Sequence, residues 1–209
     1  MADDDINDPD LVAKASRVLL SPECQRINFR WGKQHINAKA YRAVVFAMVD
    51  SRIHLYEADA EHTLDNGVEA VYREGSETMI IRPHLNLHKV SNRMTIVHES
   101  THAVQDAELA GVWIWRLDKE AIAFVAEWLY NIYSSPDRNK LRHKPDPDDP
   151  IEVTAVEIAR SLADRPGASP DPAAIRRLGN AIYANPTYSV RMLLHPWVQG
   201  DGVAKPRFP

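Results

Sequence analysis

The pentapeptide His-Glu-Ser-Thr-His at residues 98–102 decides how this 209-residue chain is interpreted. Apolar residues at helical spacing surround it and predict a helix over residues 91–109, with Gly111 as its stop. On a helix, positions i and i+4 lie on one face, so His98 and His102 can converge on one metal ion. Glu99 falls near that face and can reach a water on the metal. The motif therefore predicts a metal centre beside a free carboxylate.

The hydrophobic period changes ahead of this helix, from the helical spacing to the alternation that is typical of strands. Residues 53–57 and 68–73 alternate between apolar and polar side chains, and residues 77–82 are rich in strand formers. The pairs Asn66-Gly67 and Gly75-Ser76 supply turns between these segments. We expect a small, mostly antiparallel sheet of about three strands, whose last strand directly precedes the motif helix.

Helical patterns dominate the rest of the chain. Asp118 offers an N-cap for a second long helix after the motif helix, and residues 187–194 fit either a short helix or a strand. The segments with helical spacing or length are residues 11–20, 38–49, 119–133, 151–164 and 172–184. The predicted fold class is therefore α+β and mostly helical, with a helical C-terminal part after the sheet and the motif helix.

Composition divides the chain into four parts within one domain. Residues 1–10 are an acidic lead-in that we expect to be disordered, and residues 11–136 are the metal-binding region. Residues 137–150 form a loop rich in Pro and Asp, which is the best candidate for an internal boundary. Residues 151–209 complete the same domain as its helical C-terminal part.

Net charge and cysteine content limit the classes of partner. A formal net charge of −4 and a pI of about 6.1 predict neither a nucleic acid nor an anionic membrane as partner. The single cysteine, Cys24, excludes an internal disulfide framework. The start of the chain lacks the pattern of a signal peptide, and no apolar run is long enough to span a bilayer. We expect a protein that is cytoplasmic at synthesis, with export by a dedicated system left open.

A catalytic zinc site needs a third protein ligand, because one coordination position is kept for water. Glu120 lies 18 residues after His102, at the start of the next predicted helix, from where it can project back toward the motif. Glu127 follows two turns later on the same face, so it is either the competing ligand or a hydrogen-bond partner of a ligand. Two imidazoles and a carboxylate next to a general base favour Zn²⁺, although other divalent ions accept similar ligands.

With Glu120-Ala121-Ile122-Ala123 after the HExxH pentapeptide, the chain resembles the gluzincin, thermolysin-like branch of the zincin metallopeptidases. The resemblance covers residues 73–130. It implies a zincin-like fold in which Zn²⁺ is held by His98, His102 and Glu120 and in which Glu99 is the general base. It also implies that the strand at residues 77–82 is the edge strand that packs on the motif helix and pairs with an extended peptide substrate.

The resemblance further implies a donor from the C-terminal part that stabilises the oxyanion of the reaction. Tyr183, Tyr188 and His195 are the candidates, and we carry Tyr188 and His195 forward as catalytic residues. One position departs from the family pattern. Where such enzymes often place an Asp that orients the first histidine, this chain has Phe124. The missing acceptor is expected from Glu127, Asp106 or a backbone carbonyl.

The sequence thus predicts a zinc-dependent metallopeptidase that cleaves a peptide or protein substrate. Two alternatives stay open at this point. One is a regulatory or interaction protein that keeps a zincin fold and its zinc but hydrolyses nothing, and the other is a hydrolase of a non-peptide amide. Retention of Glu99 favours an enzyme, because metal ligation alone does not require that carboxylate.

Overall fold

The computed structural model describes residues 7–65, 67–109, 111–194 and 196–199. Residues 1–6 of the predicted lead-in, the candidate His195 and the tail 200–209 lie outside this part of the chain. Within the described part of the lead-in, a helix begins at Pro9. Asn7 is buried, and its side-chain amide donates to the backbone oxygens of Met48 and Ile53 at 2.6 and 2.8 Å.

The described residues form an α+β fold with seven α-helices and three small sheets, which confirms the predicted fold class at this level. The helices are α1 (Pro9–Leu19), α2 (Ala38–Val49), α3 (Val90–Glu108), α4 (Arg116–Ser134), α5 (Pro150–Ala163), α6 (Pro172–Ala184) and α7 (Pro186–Leu194). The strands are β1 (Asn28–Trp31), β2 (Gln34–Asn37), β3 (His54–Glu57), β4 (Ala70–Arg73), β5 (Thr78–Ile81), β6 (Trp113–Trp115) and β7 (Trp197–Gln199).

The central sheet has the strand order β3-β5-β4, and this order corrects the prediction for residues 77–82. Strand β5 is the central strand rather than the edge strand. It pairs parallel with β3 and antiparallel with β4, so this sheet is mixed rather than mostly antiparallel. All four residues of β5 are buried, as expected for a strand that is covered on both faces and flanked on both sides. The edge strand that contacts the motif helix is β4.

Helices α3 and α4 form the centre of the molecule. Helix α4 packs against α3 and also against α5, and its side chains Trp128 and Tyr130 are almost completely buried. Gly111 lies in the connection between α3 and β6 with a φ of +77°, a conformation that glycine adopts without steric cost. Strand β6 then runs directly into α4. This short connection brings the start of α4 back to the motif helix.

One local prediction was wrong, one hairpin was missed, and one choice that the sequence left open is resolved. Asp118 does not cap α4, which begins two residues earlier at Arg116; its Oδ1 instead accepts from Trp31 Nε1 at 3.3 Å. The hairpin β1–β2 was not predicted. Residues 187–194 are helical, within α7. Among the described residues, the stretch between α4 and α5 has no helix or strand before Pro150, and its role as a boundary stays a prediction.

None of the helices in the described part of the chain combines the length and the apolar character that crossing a membrane requires.

Candidate metal centre

Helices α3 and α4 bring the three predicted metal ligands together. Nε2 of His98 lies 3.6 Å from Oε2 of Glu120, and Nε2 of His102 lies 3.7 Å from the same oxygen. One ligand atom from each residue falls within 4.8 Å of the other two. Both histidines are buried at 8% exposure, so this group could hold a metal ion largely shielded from solvent.

The other ring nitrogen of each histidine is fixed by a hydrogen bond. Nδ1 of His98 lies 3.1 Å from Oε2 of Glu127, and Nδ1 of His102 lies 3.1 Å from Oε1 of Gln105. Each of these oxygens accepts a hydrogen bond from Nδ1–H, so the neutral imidazole has its Nε2 lone pair free for a metal. Glu127 therefore lies on the side of His98 that faces away from Glu120, in the place of an orienting acceptor rather than a ligand.

Gln105 connects the two helices and was not singled out from the sequence. Its side chain is completely buried, and its Nε2 donates to the backbone oxygen of Lys119 at 3.3 Å. Because Gln105 lies three residues after His102 on α3, the helical i, i+3 spacing could have identified it. The amide thus positions His102 and also contacts the residue that precedes Glu120.

The general-base candidate Glu99 belongs to α3, and its side chain contacts the edge strand β4. Its Oε2 accepts from the backbone N–H of Tyr72 in β4 at 2.7 Å, and the residue is 9% exposed. The Tyr72 hydroxyl donates to Oδ2 of Asp106 at 3.1 Å. The backbone N–H and the hydroxyl of Tyr72 therefore both hold β4 against α3. The acceptors of the two candidate ligand histidines are Glu127 and Gln105, whereas Asp106 accepts from Tyr72 of β4.

Phe124 occupies the position where the family pattern predicted a carboxylate. Its ring packs edge-on against the ring of His98, with centroids 5.0 Å apart, and against that of Tyr188, at 5.9 Å. Tyr188 in α7 therefore reaches the site, and burial raises the pKa of its hydroxyl. Tyr183 is 49% exposed and does not line the cleft at the site.

Electrostatics differ sharply among the site residues. Burial raises the pKa of Glu99 to about 7 and lowers that of His102 to about 4. Burial would also raise the pKa of Glu120, but the adjacent His102 and His98 lower it to about 2. For His98, burial acts to lower the pKa, and the carboxylates of Glu120 and Glu127 raise it well above its usual value. Metal ligation requires neutral imidazoles and an ionised carboxylate, so a cation would have to displace a proton from His98.

The site opens into a cleft of about 930 Å³. Edge strand β4 and the segment before it form one wall, while the starts of α4 and α7 form the other. The residues that line the cleft include Tyr72, Glu74, His98, Glu99, His102, Lys119, Glu120 and Tyr188. The cavity is large enough for a segment of several residues, within the range that is usual for ligand sites.

Two imidazole nitrogens and a carboxylate oxygen are the donor set of hydrolytic zinc sites, and the residues present therefore fit this ion. Comparisons of the chain with protein-family models, with curated proteins and with solved structures find no match.

Proposed function

We propose that this protein is a zinc-dependent metallopeptidase with a zincin-like arrangement of α3, α4 and the β4 edge strand. The observation that carries the proposal is the convergence of His98, His102 and Glu120, each of which has one ligand atom within 4.8 Å of those of the other two. Acceptors on both Nδ1 atoms support it, because a metal site requires imidazoles of fixed orientation and tautomer.

The chemistry would be the hydrolysis of an amide. When bound, zinc would act as a Lewis acid on the substrate carbonyl and would lower the pKa of its water to about 7. Glu99 takes a proton from the attacking water as the new C–O bond forms, and it delivers this proton to the amine nitrogen as the C–N bond breaks. Tyr188, which lines the cleft, would donate to the developing oxyanion.

The substrate would be an extended peptide that adds to the free edge of β4. Among the described strands, β4 pairs with β5 alone, and its other side belongs to the cleft that contains Glu99, which accepts from the Tyr72 N–H. Strand addition satisfies the exposed main-chain groups and places successive side chains on alternate sides of the peptide. This role was first assigned to residues 77–82, whose position in the middle of the sheet excludes it.

Glu99→Gln provides the test of the proposed reaction. The amide oxygen of Gln still accepts from the Tyr72 N–H, whereas it cannot take a proton from water. We expect this variant to bind zinc like the wild type and to lose at least about 100-fold in peptide hydrolysis, the lower range for general-base catalysis. Glu108→Gln, at the end of the same helix, is the matched control and should keep full activity.

Two results would redirect the proposal. Zinc binding without hydrolysis of any member of a broad peptide library would favour the regulatory or interaction protein. Hydrolysis of N-acylated amino sugars or other non-peptide amides, with the same loss of activity in Glu99→Gln, would favour a hydrolase of a non-peptide amide.

A further inference from the structure

A buried ion pair joins the two walls of the cleft next to the metal centre. Lys119 lies in the first two turns of α4, and its ammonium group is paired with Oε1 of Glu74. Glu74 begins the short 3-10 helix that follows β4, at residues Glu74–Ser76. The Lys119 side chain is 2% exposed, whereas that of Glu74 is 25% exposed. Lysine is almost never buried to this extent without a partner.

The main chain of the same lysine is connected to the other site helix. The Lys119 backbone oxygen accepts from Nε2 of Gln105 at 3.3 Å, and Oε1 of Gln105 lies 3.1 Å from Nδ1 of His102. One residue thus contacts the edge-strand wall through its side chain and α3 through its main chain. The next residue in the chain is the candidate ligand Glu120.

Other contacts also hold the start of α4: the backbone N–H of Arg116 donates to the backbone oxygen of Pro196 at 2.9 Å, and Trp31 Nε1 donates to Oδ1 of Asp118 at 3.3 Å. The Lys119–Glu74 pair adds a contact to the end of β4. No side chain caps its N-terminus, and strand β6 runs into it without a loop. By contrast, α1, α2, α5 and α6 each have a capping side chain, from Asp8, Asn37, Asp149 and Asp171. A buried ion pair contributes little net stability, because desolvation of the charges offsets their attraction. Its defined geometry can nevertheless fix one arrangement of two elements.

We propose that Lys119 and Glu74 are positioning residues that clamp the start of α4 to the end of β4 and thereby hold Glu120 and His102 at the metal. The clamp deepens the proposed function, since it rests on the metal site, but it does not depend on which amide is hydrolysed. It also keeps the edge strand at a fixed distance from α4 across the cleft. Neither residue takes part in the chemistry itself.

Zinc affinity of the full chain, measured by competition with a chelator, tests the clamp. We expect Lys119→Met, which keeps the length of the buried chain without its charge, to lower zinc affinity by about 10- to 100-fold, as for other residues that support metal ligands. Glu74→Gln should lower it similarly and should also destabilise the metal-free protein more than Lys119→Met does, because it leaves a buried ammonium group without its carboxylate. The double variant should lose no more affinity than Lys119→Met alone.

Lys140→Met is the matched control, because it removes a lysine that is 85% exposed and paired with Asp137 at 3.8 Å. It should leave zinc affinity unchanged. A purely structural role would change thermal stability without changing the coordination, so the visible spectrum of the cobalt-substituted protein is a second readout. We expect this spectrum to shift in Lys119→Met and to stay as in the wild type in Lys140→Met.

The outcomes separate the clamp from the proposed function. Zinc affinity and a cobalt spectrum in Lys119→Met that match those of the wild type would overturn the clamp and leave the metallopeptidase intact. Absence of zinc binding in the wild type would overturn both. Reduced affinity in Lys119→Met together with failure to hydrolyse any amide would support the clamp and overturn the enzyme.

Discussion

His98 and His102 lie one turn apart on α3 and direct the same ring nitrogen at Glu120, yet their surroundings differ. Nδ1 of His98 meets a carboxylate of α4, 29 residues away in the chain, whereas Nδ1 of His102 meets an amide of its own helix, three residues away. The pKa of His98 is raised well above its usual value against the effect of burial, by its two carboxylate neighbours. Burial lowers the pKa of His102 to about 4.

Because of this contrast, the Nδ1 partner of each candidate ligand would affect metal binding in a different way. A carboxylate acceptor makes His98 a more basic ligand but also stabilises its protonated form. A neutral amide acceptor orients His102 and leaves the imidazole unprotonated at neutral pH. Removal of each acceptor should therefore have a different magnitude and a different pH dependence.

The largest effect is expected at the residue that both histidines share. Glu120→Ala removes the third ligand, so zinc affinity should fall by more than the roughly 100-fold that loss of an outer hydrogen-bond partner costs. Equilibrium dialysis against a zinc buffer measures this loss. If Glu120→Ala kept its zinc while Glu127→Ala lost it, the assignment of the two carboxylates would have to be exchanged.

The second-largest loss of zinc affinity is expected from Glu127→Gln. It keeps a hydrogen-bond acceptor for Nδ1 of His98 but removes the charge, and zinc affinity should fall by about 10- to 100-fold. Glu157→Gln, on the exposed face of α5, is the control and should bind zinc as the wild type does. An unchanged affinity in Glu127→Gln would show that the charge next to His98 has no role in the site.

The pH dependence of zinc binding sharpens the comparison further. Burial acts to lower the pKa of His98, but the carboxylates of Glu120 and Glu127 raise it well above its usual value. His98 therefore keeps its proton at pH values where His102 has lost its own. Zinc must displace that proton, so affinity should fall by about tenfold per pH unit below the pKa of His98. Titration calorimetry in two buffers of different ionisation enthalpy counts the released protons, and Glu127→Gln should release fewer. Equal proton release in both proteins would contradict the assigned role of Glu127.

The smallest effect is expected from Gln105→Leu, since the amide that it removes is neutral. Zinc affinity should fall by about tenfold, at the lower end for such partners, and the pH dependence should stay as in the wild type. Gln34→Leu is the control, because Gln34 is also buried and its Oε1 has no hydrogen-bond partner among the described residues. A larger loss in Gln105→Leu than in Glu127→Gln would reverse the ranking of the two acceptors.

The same kind of contrast explains what the sequence could predict of the fold. The starts of α5 and α6 carry Asp149-Pro150 and Asp171-Pro172, in which Asp accepts from the helix N-terminus and Pro fits its first turn, and both helices begin within one residue of the prediction. The start of α4 has no such cap, and tertiary contacts determine it instead. The apolar run Met79-Ile80-Ile81 indicated that β5 lies in the middle of the sheet. The short alternating segments before it nevertheless led to the prediction of a mostly antiparallel sheet.

The residues of the candidate site also divide into those that the sequence could place and those that depend on the tertiary packing. Residues whose position follows from helical spacing, His98, Glu99 and His102, lie on α3 as predicted, and Glu120 meets them from α4. The place of Glu127 depends on how α3 and α4 cross, which a sequence does not specify. The contact between Tyr72 and Glu99 depends on the register and order of the sheet, and these were the parts of the fold that the sequence left undetermined.

Elemental analysis of protein purified without added metal tests the central claim most directly, with His98→Ala alongside the wild type. The account predicts about one zinc per chain in the wild type and loss of this zinc in the variant, because a site of three protein ligands cannot spare an imidazole. Wild-type protein that holds no zinc, even after incubation with zinc at neutral pH, would contradict the account. The cluster of His98, His102 and Glu120 would then be a set of buried ion pairs rather than a metal centre.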